Sequence, residues 1–71
     1  MTLKDVQLLN QKTKGTELIE IEFIPKGTKK TIRLLVYAKN RLDASNYLIF
    51  NGIYGKQVSI NYVHQITGIW D

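Results

Sequence analysis

The 71-residue chain has no cysteine, a single proline, a single histidine and a single tryptophan. Without cysteine there is neither a disulfide nor a thiolate metal site. One histidine (His64) is too little for a conventional zinc centre, which wants three or four Cys, His or carboxylate ligands. The longest apolar run, Leu34-Leu35-Val36-Tyr37-Ala38, falls far short of the ~20 residues that span a bilayer. No basic start followed by an apolar stretch opens the chain, so no secretory leader is expected and cytoplasmic residence is the expectation. Glycine-rich phosphate loops are missing. Ser45 and Ser59 lie in no nucleophile motif, and Glu17, Glu20 and Glu22 follow no metal-binding pattern. Catalysis, a metal, a cofactor and a small-molecule substrate are therefore not expected, nor is a membrane.

What is present is one domain, residues 1–71, at 44% hydrophobic and 23% charged, which reads as globular. A chain this short buries only about 60% of its unfolded surface. Domains of this size usually need a disulfide, a metal or a partner subunit, and here oligomerisation is what remains. Ten Lys and Arg against six Asp and Glu leave a net charge of +4, which favours phosphate-bearing partners. The competing explanation is a lysine-rich surface that serves solubility. The acids Glu17, Glu20 and Glu22 are grouped, while the bases fall at Lys12/Lys14, Lys26/Lys29/Lys30/Arg33 and Lys39/Arg41. Such segregation points to a polarised surface.

Residues 2–14 read as a helix, with Thr2 and Asp5 forming a capping box, Leu3, Val6 and Leu9 at helical spacing, and Gly15 as the stop. From Glu17 the period changes to two. Ile19, Ile21 and Phe23 alternate with Glu20 and Glu22, predicting a strand over about 17–24. Ile24-Pro25-Lys26-Gly27 reads as a type I turn. A second strand (29–37) has Ile32, Leu34 and Val36 on one face and Arg33, Leu35 and Tyr37 on the other. Residues 38–46 read as a polar, basic loop. Tyr47-Leu48-Ile49-Phe50 reads as a third strand, Asn51-Gly52 as a hairpin turn, and 57–63 and 65–70 as strands four and five. One helix and five short strands predict a mainly β fold: a strongly bent antiparallel sheet closed into a small SH3-like barrel, with the helix capping one end.

This order of elements resembles the Sm/LSm family, and its bacterial Hfq branch in particular. Tyr62-Val63-His64-Gln65-Ile66-Thr67 is similar to the second Sm motif of Hfq, with Val63 where Hfq has lysine. Asp43-Ala44-Ser45-Asn46-Tyr47-Leu48 loosely echoes the first motif, and Asp5-Val6-Gln7-Leu8-Leu9 looks like the N-terminal helix. The glycine that usually bends the second strand has no counterpart in Thr31–Tyr37. The resemblance implies a homo-oligomeric ring, joined through the last two strands, that binds single-stranded nucleic acid, RNA more than DNA, in RNA processing or regulation. It places Tyr62, His64 and Gln65 beside the pore and Gln7 on the nucleic-acid face.

From the residues themselves, Lys39-Asn40-Arg41 with Asn46 is the better chemical candidate. Lys and Arg neutralise phosphate and amides read base edges. Tyr37 and Tyr47 flank that segment as stacking platforms, with core packing the more economical role for Tyr47. The alternative reading is a small SH3-like barrel that serves as a protein-interaction subunit and binds no nucleic acid.

Overall fold

The alternation from Glu17 onward does produce a hairpin, seen in a computed structural model that describes residues 6–65. Strand β2 (Glu17–Pro25) pairs antiparallel with β3 (Ile32–Ala38), setting Ile19 opposite Val36 and Ile21 opposite Leu34. Helix α1 (Arg41–Phe50) follows β3, and β4 (Gly55–Tyr62) returns antiparallel to the other side of β2. A three-residue strand, β1 (Val6–Leu8), pairs parallel with β3, and a 3-10 turn (Val63–Gln65) follows β4. The sheet order is β1-β3-β2-β4. Because β3 and β4 are each antiparallel to β2, they run parallel to one another with β2 between them. The connection β3-α1-β4 is thus a split β-α-β unit.

One face of the sheet carries the core. Ile19, Ile21, Phe23, Leu34, Val36 and Ala38 are buried there against Ala44 and Leu48 of α1. Ala44 and Leu48 stand four residues apart, the spacing that puts two side chains on one helix face. Leu9, Ile53, Ile60 and Tyr62 close its margins.

The expected five-stranded closed barrel with an N-terminal helix is overturned: four strands form one open sheet and the helix follows the strands. In place of the helix at 2–14, residues 6–8 are strand, and residues 1–5 lie outside the described residues. Asn10 accounts for the extended path. Its Nδ2 donates to the Tyr37 carbonyl (3.0 Å) and its Oδ1 accepts from the Tyr37 N–H (2.7 Å), while the Leu9 N–H donates to the Leu35 carbonyl (2.8 Å). A side-chain amide here does the work of a strand backbone, and a helix could not reach these partners.

The loop at 38–46 and the strand at 47–50 are likewise replaced, by α1. Asn40 caps it, accepting from the Asp43 N–H at 2.8 Å, and Asp43 Oδ2 accepts from the Lys39 N–H at 3.0 Å. Asn51-Gly52 does not turn a hairpin; it ends the helix. The Gly52 N–H donates to Ile49 and the Ile53 N–H to Leu48, with Gly52 at φ 71°, the paired bonds of a Schellman motif. The predicted turn at 24–27 sits one residue later, closed by the Thr28 N–H on the Pro25 carbonyl. Strand four begins and ends slightly earlier than 57–63, and a bulge opposite Glu22/Phe23 leaves Val58 without a cross-strand partner. Of the expected fifth strand, Gln65 belongs to the 3-10 turn and 66–70 lie outside the described residues. No described helix is long and apolar enough to cross a membrane.

Gly55 starts β4 where the chain passes close to β2. A Cβ there would stand 2.6 Å from the Phe23 ring and would meet the Ile24 carbonyl closer still. Gly55→Ala is therefore expected to cost about 1–3 kcal/mol, the usual penalty of overpacking. The thermal midpoint should drop by several degrees, since about 1 kcal/mol moves Tm by roughly 4–8 °C in a domain this small.

Candidate functional site

The carboxyl ends of the parallel strands β3 and β4 lie at the same end of the sheet, one on either side of β2, and α1 begins at that end. At it, the first residue of α1 meets the last residue of β4. The Arg41 guanidinium stands 5.2 Å from the centre of the Tyr62 ring, and the His64 ring lies 5.5 Å from Tyr62, tilted by 36°. Tyr62 is half-buried at the margin of the core, whereas Arg41 and His64 are exposed. A guanidinium over an aromatic face is worth about 0.5–1 kcal/mol at an exposed site, and it holds the cation in a fixed place.

Of the residues expected to bind nucleic acid, Arg41, Tyr62 and His64 are in contact, and Lys39 and Asn40 adjoin them in the chain. Asn40 is committed to capping α1, so its amide oxygen is not available to read a base. Asn46 lies on the next turn of the helix, half-buried. Tyr37 points to the opposite face of the sheet, level with Leu18, and carries Lys12 over its ring at 5.8 Å. Gln7 is exposed on β1 at the far edge, three strands from Tyr62 and so about 14 Å away at ~4.8 Å per strand. Gln65 lies in the 3-10 turn, and its side chain is outside what is described. Tyr47 packs against the core and donates its hydroxyl to the Leu9 carbonyl at 3.4 Å.

Among the described residues, the hairpin-end lysines and the pair at the start of α1 do not converge. Lys26, Lys29 and Lys30 follow β2 at the hairpin end, where Lys56 pairs opposite Ile24. Lys39 and Arg41 stand at the other end of β3, roughly 20 Å away at ~3.3 Å per residue. The Lys12–Tyr37 contact was not foreseen, since only the fold brings residues 25 positions apart together.

A second cluster escaped the sequence altogether. Glu20 faces away from the core, as its alternation with Ile19 and Ile21 requires, yet it is only 1% exposed and its Oε2 has no hydrogen-bond partner. It pairs across the sheet with Leu35 and Asn61, and its neighbour Glu22 pairs with Arg33 and Ser59. The Ser59 hydroxyl donates to Glu22 Oε1 at 3.0 Å. Burial pushes the Glu20 carboxyl above its ordinary value; Arg33 pulls it down, and Glu22 adds a smaller upward push. No cue in the sequence marks this glutamate as buried, because a polar residue alternating with isoleucine reads as solvated.

No family model, no curated protein and no solved structure matches the chain, so nothing in these comparisons identifies an Sm- or Hfq-like family.

The raised Glu20 carboxyl ties stability to pH with a definite sign. The fold favours the protonated form, so the stabilising contribution is complete below the ordinary value of 4.5 and is lost as pH rises through the higher folded value. Glu20→Gln, which stays neutral, should melt higher than wild type at neutral pH, and the difference should shrink towards pH 4. A gap that is constant with pH would refute this account.

Proposed function

We propose that this chain is a non-catalytic module that binds single-stranded nucleic acid at the end of the sheet marked by Arg41, Tyr62 and His64. The observation that carries the reading is the contact of the Arg41 guanidinium with the Tyr62 ring beside an exposed imidazole. Single strands are held by cations that neutralise phosphate and by flat rings that stack on bases, and base stacking on an aromatic ring is worth ~1–3 kcal/mol. Lys39 extends the positive charge along the same edge, and the net charge of +4 gives the encounter a favourable sign. The order of elements, the basic charge and the Tyr62–His64 segment motivated this reading; the open sheet removes the first of these, and a central pore has no part in it. A cytoplasmic location belongs to the same proposal.

One observation favours a different reading, a protein-interaction subunit: the outer surface of α1 leaves Leu42 71% and Phe50 83% exposed. Large apolar side chains grouped on a surface commonly mark contact sites.

Fluorescence anisotropy with short uridine, adenosine and thymidine oligomers separates the two. The nucleic-acid reading expects binding that weakens with salt, by a slope of about −0.7 per neutralised phosphate. Arg41→Ala should weaken it and flatten the slope by about that single increment, while the fold remains intact. His64→Ala should weaken it with little change of slope, and Lys29→Ala, at the opposite end of the sheet, should have much less effect. Absence of salt-sensitive binding to any oligomer rejects the nucleic-acid reading and leaves the protein-interaction one.

A further inference from the structure

We propose that the open edge of β4, together with the adjoining flank of α1, forms a two-fold interface with a second copy of this chain. The proposal is independent of nucleic-acid binding. β4 is hydrogen-bonded to β2 on one side, and among the described residues no strand pairs with its other side. Such an edge presents a row of N–H and C=O groups that another extended backbone satisfies along its whole length. The two edges of this sheet differ. Among the described residues β1 runs for three residues, whereas β4 runs for eight with no proline and one charge, Lys56. Its guard against pairing is the bulge at Val58, and that side chain is itself 49% exposed.

The helix opens on the same side. Ser45 Oγ donates to Gln57 Oε1 at 2.6 Å, which fixes the flank of α1 that faces β4. Tyr47, bonded to Leu9, marks the opposite flank. Leu42 and Ile49 stand three residues before and four residues after Ser45, on its side of the helix, and both are more than half exposed. Among the described residues, an unpaired strand edge and an apolar helix flank therefore adjoin. A free extended peptide would satisfy the first and leave the second in water. Another sheet edge with its own helix satisfies both.

Antiparallel pairing of β4 with β4, about an axis perpendicular to the sheet, places both helices on one side of a continuous sheet and brings the Leu42 and Ile49 flanks together. The contact is self-complementary, as a two-fold interface must be. Charge permits it: with Ser59 near the axis, the two Lys56 side chains are separated by roughly 20 Å at ~3.4 Å per residue, well beyond the ~8 Å screening length at physiological salt. A cysteine-free chain of this length is also one that gains from a partner subunit.

Sedimentation of the full chain across the micromolar range tests the proposal. The expected result is a reversible dimer of twice the 8.2 kDa chain mass. Val58→Lys sets like charges close to the axis, and Leu42→Glu spoils the helix flank. Each should weaken dimerisation by about tenfold or more, as loss of a central contact does. Both positions are exposed, so circular dichroism and melting of the monomer should be unchanged. A wild-type chain that stays monomeric throughout overturns the proposal, even if its edge captures an unrelated β-strand peptide. A dimer indifferent to both substitutions overturns it as well, since the interface would then lie elsewhere.

Discussion

β2 is the strand on which the rest of the structure depends, because it alone is paired along most of its length on both sides. A central strand has no solvated edge, and every backbone group on it must be met by a neighbour. In a sheet of four strands with one helix, that demand fixes the remainder. β3 is supplied by a hairpin on one side, and β4 must be carried back to the other. The carrier is α1, whose Ala44 and Leu48 cover the apolar row Ile19-Ile21-Phe23. Glu20 lies on this same strand. It sits in the middle of the middle strand, paired with Leu35 and Asn61 across the ladder, and is buried even on the face without the helix.

Features written in nearest neighbours were legible in the sequence. The period-two pattern of Ile19, Ile21 and Phe23 marked β2 and its buried face, and Ile32, Leu34 and Val36 did the same for β3. Pro25 ended its strand where a missing donor dictates. Failures came where local chemistry admits two answers. Tyr47-Leu48-Ile49-Phe50 has a strand's composition, yet Asn40 and Asp43 at one end and Gly52 at the other define a helix. Asn51-Gly52 serves a hairpin or a helix stop equally well. Only hydrogen bonds to Leu48 and Ile49 show which, and those arise once the helix exists. The N-terminal segment failed for a different reason. Leu3, Val6 and Leu9 fit a helix in isolation, but Asn10 finds Tyr37 27 residues away, a partner that no local pattern announces.

The candidate site divides along the same line. Arg41, Tyr62 and His64 were each singled out, but on grounds tied to a pore and a loop. The fold brings them together for another reason, that parallel strands joined through a helix end at a common edge. Lys39 stays beside them, Tyr37 goes to the other face and Gln7 to the other edge. A residue's chemistry was readable from its type, and its company was not.

The helix start at this edge sharpens what the site can hold. Backbone N–H groups at a helix N-terminus ordinarily attract anions, but here the first turn is already occupied: Asn40 takes the Asp43 N–H, and the Asp43 carboxylate both lies in that turn and accepts from Lys39. A phosphate approaching along the helix axis would meet a carboxylate. The cation it can reach is Arg41, which is drawn aside over Tyr62, at the flank of the helix and next to His64. Attraction for phosphate and flat ring surface thus coincide at one point and are absent from the axis. Under the reading proposed above, an unpaired strand, whose bases are free to lie against a ring, would use that arrangement better than a duplex, which keeps its base faces stacked on one another.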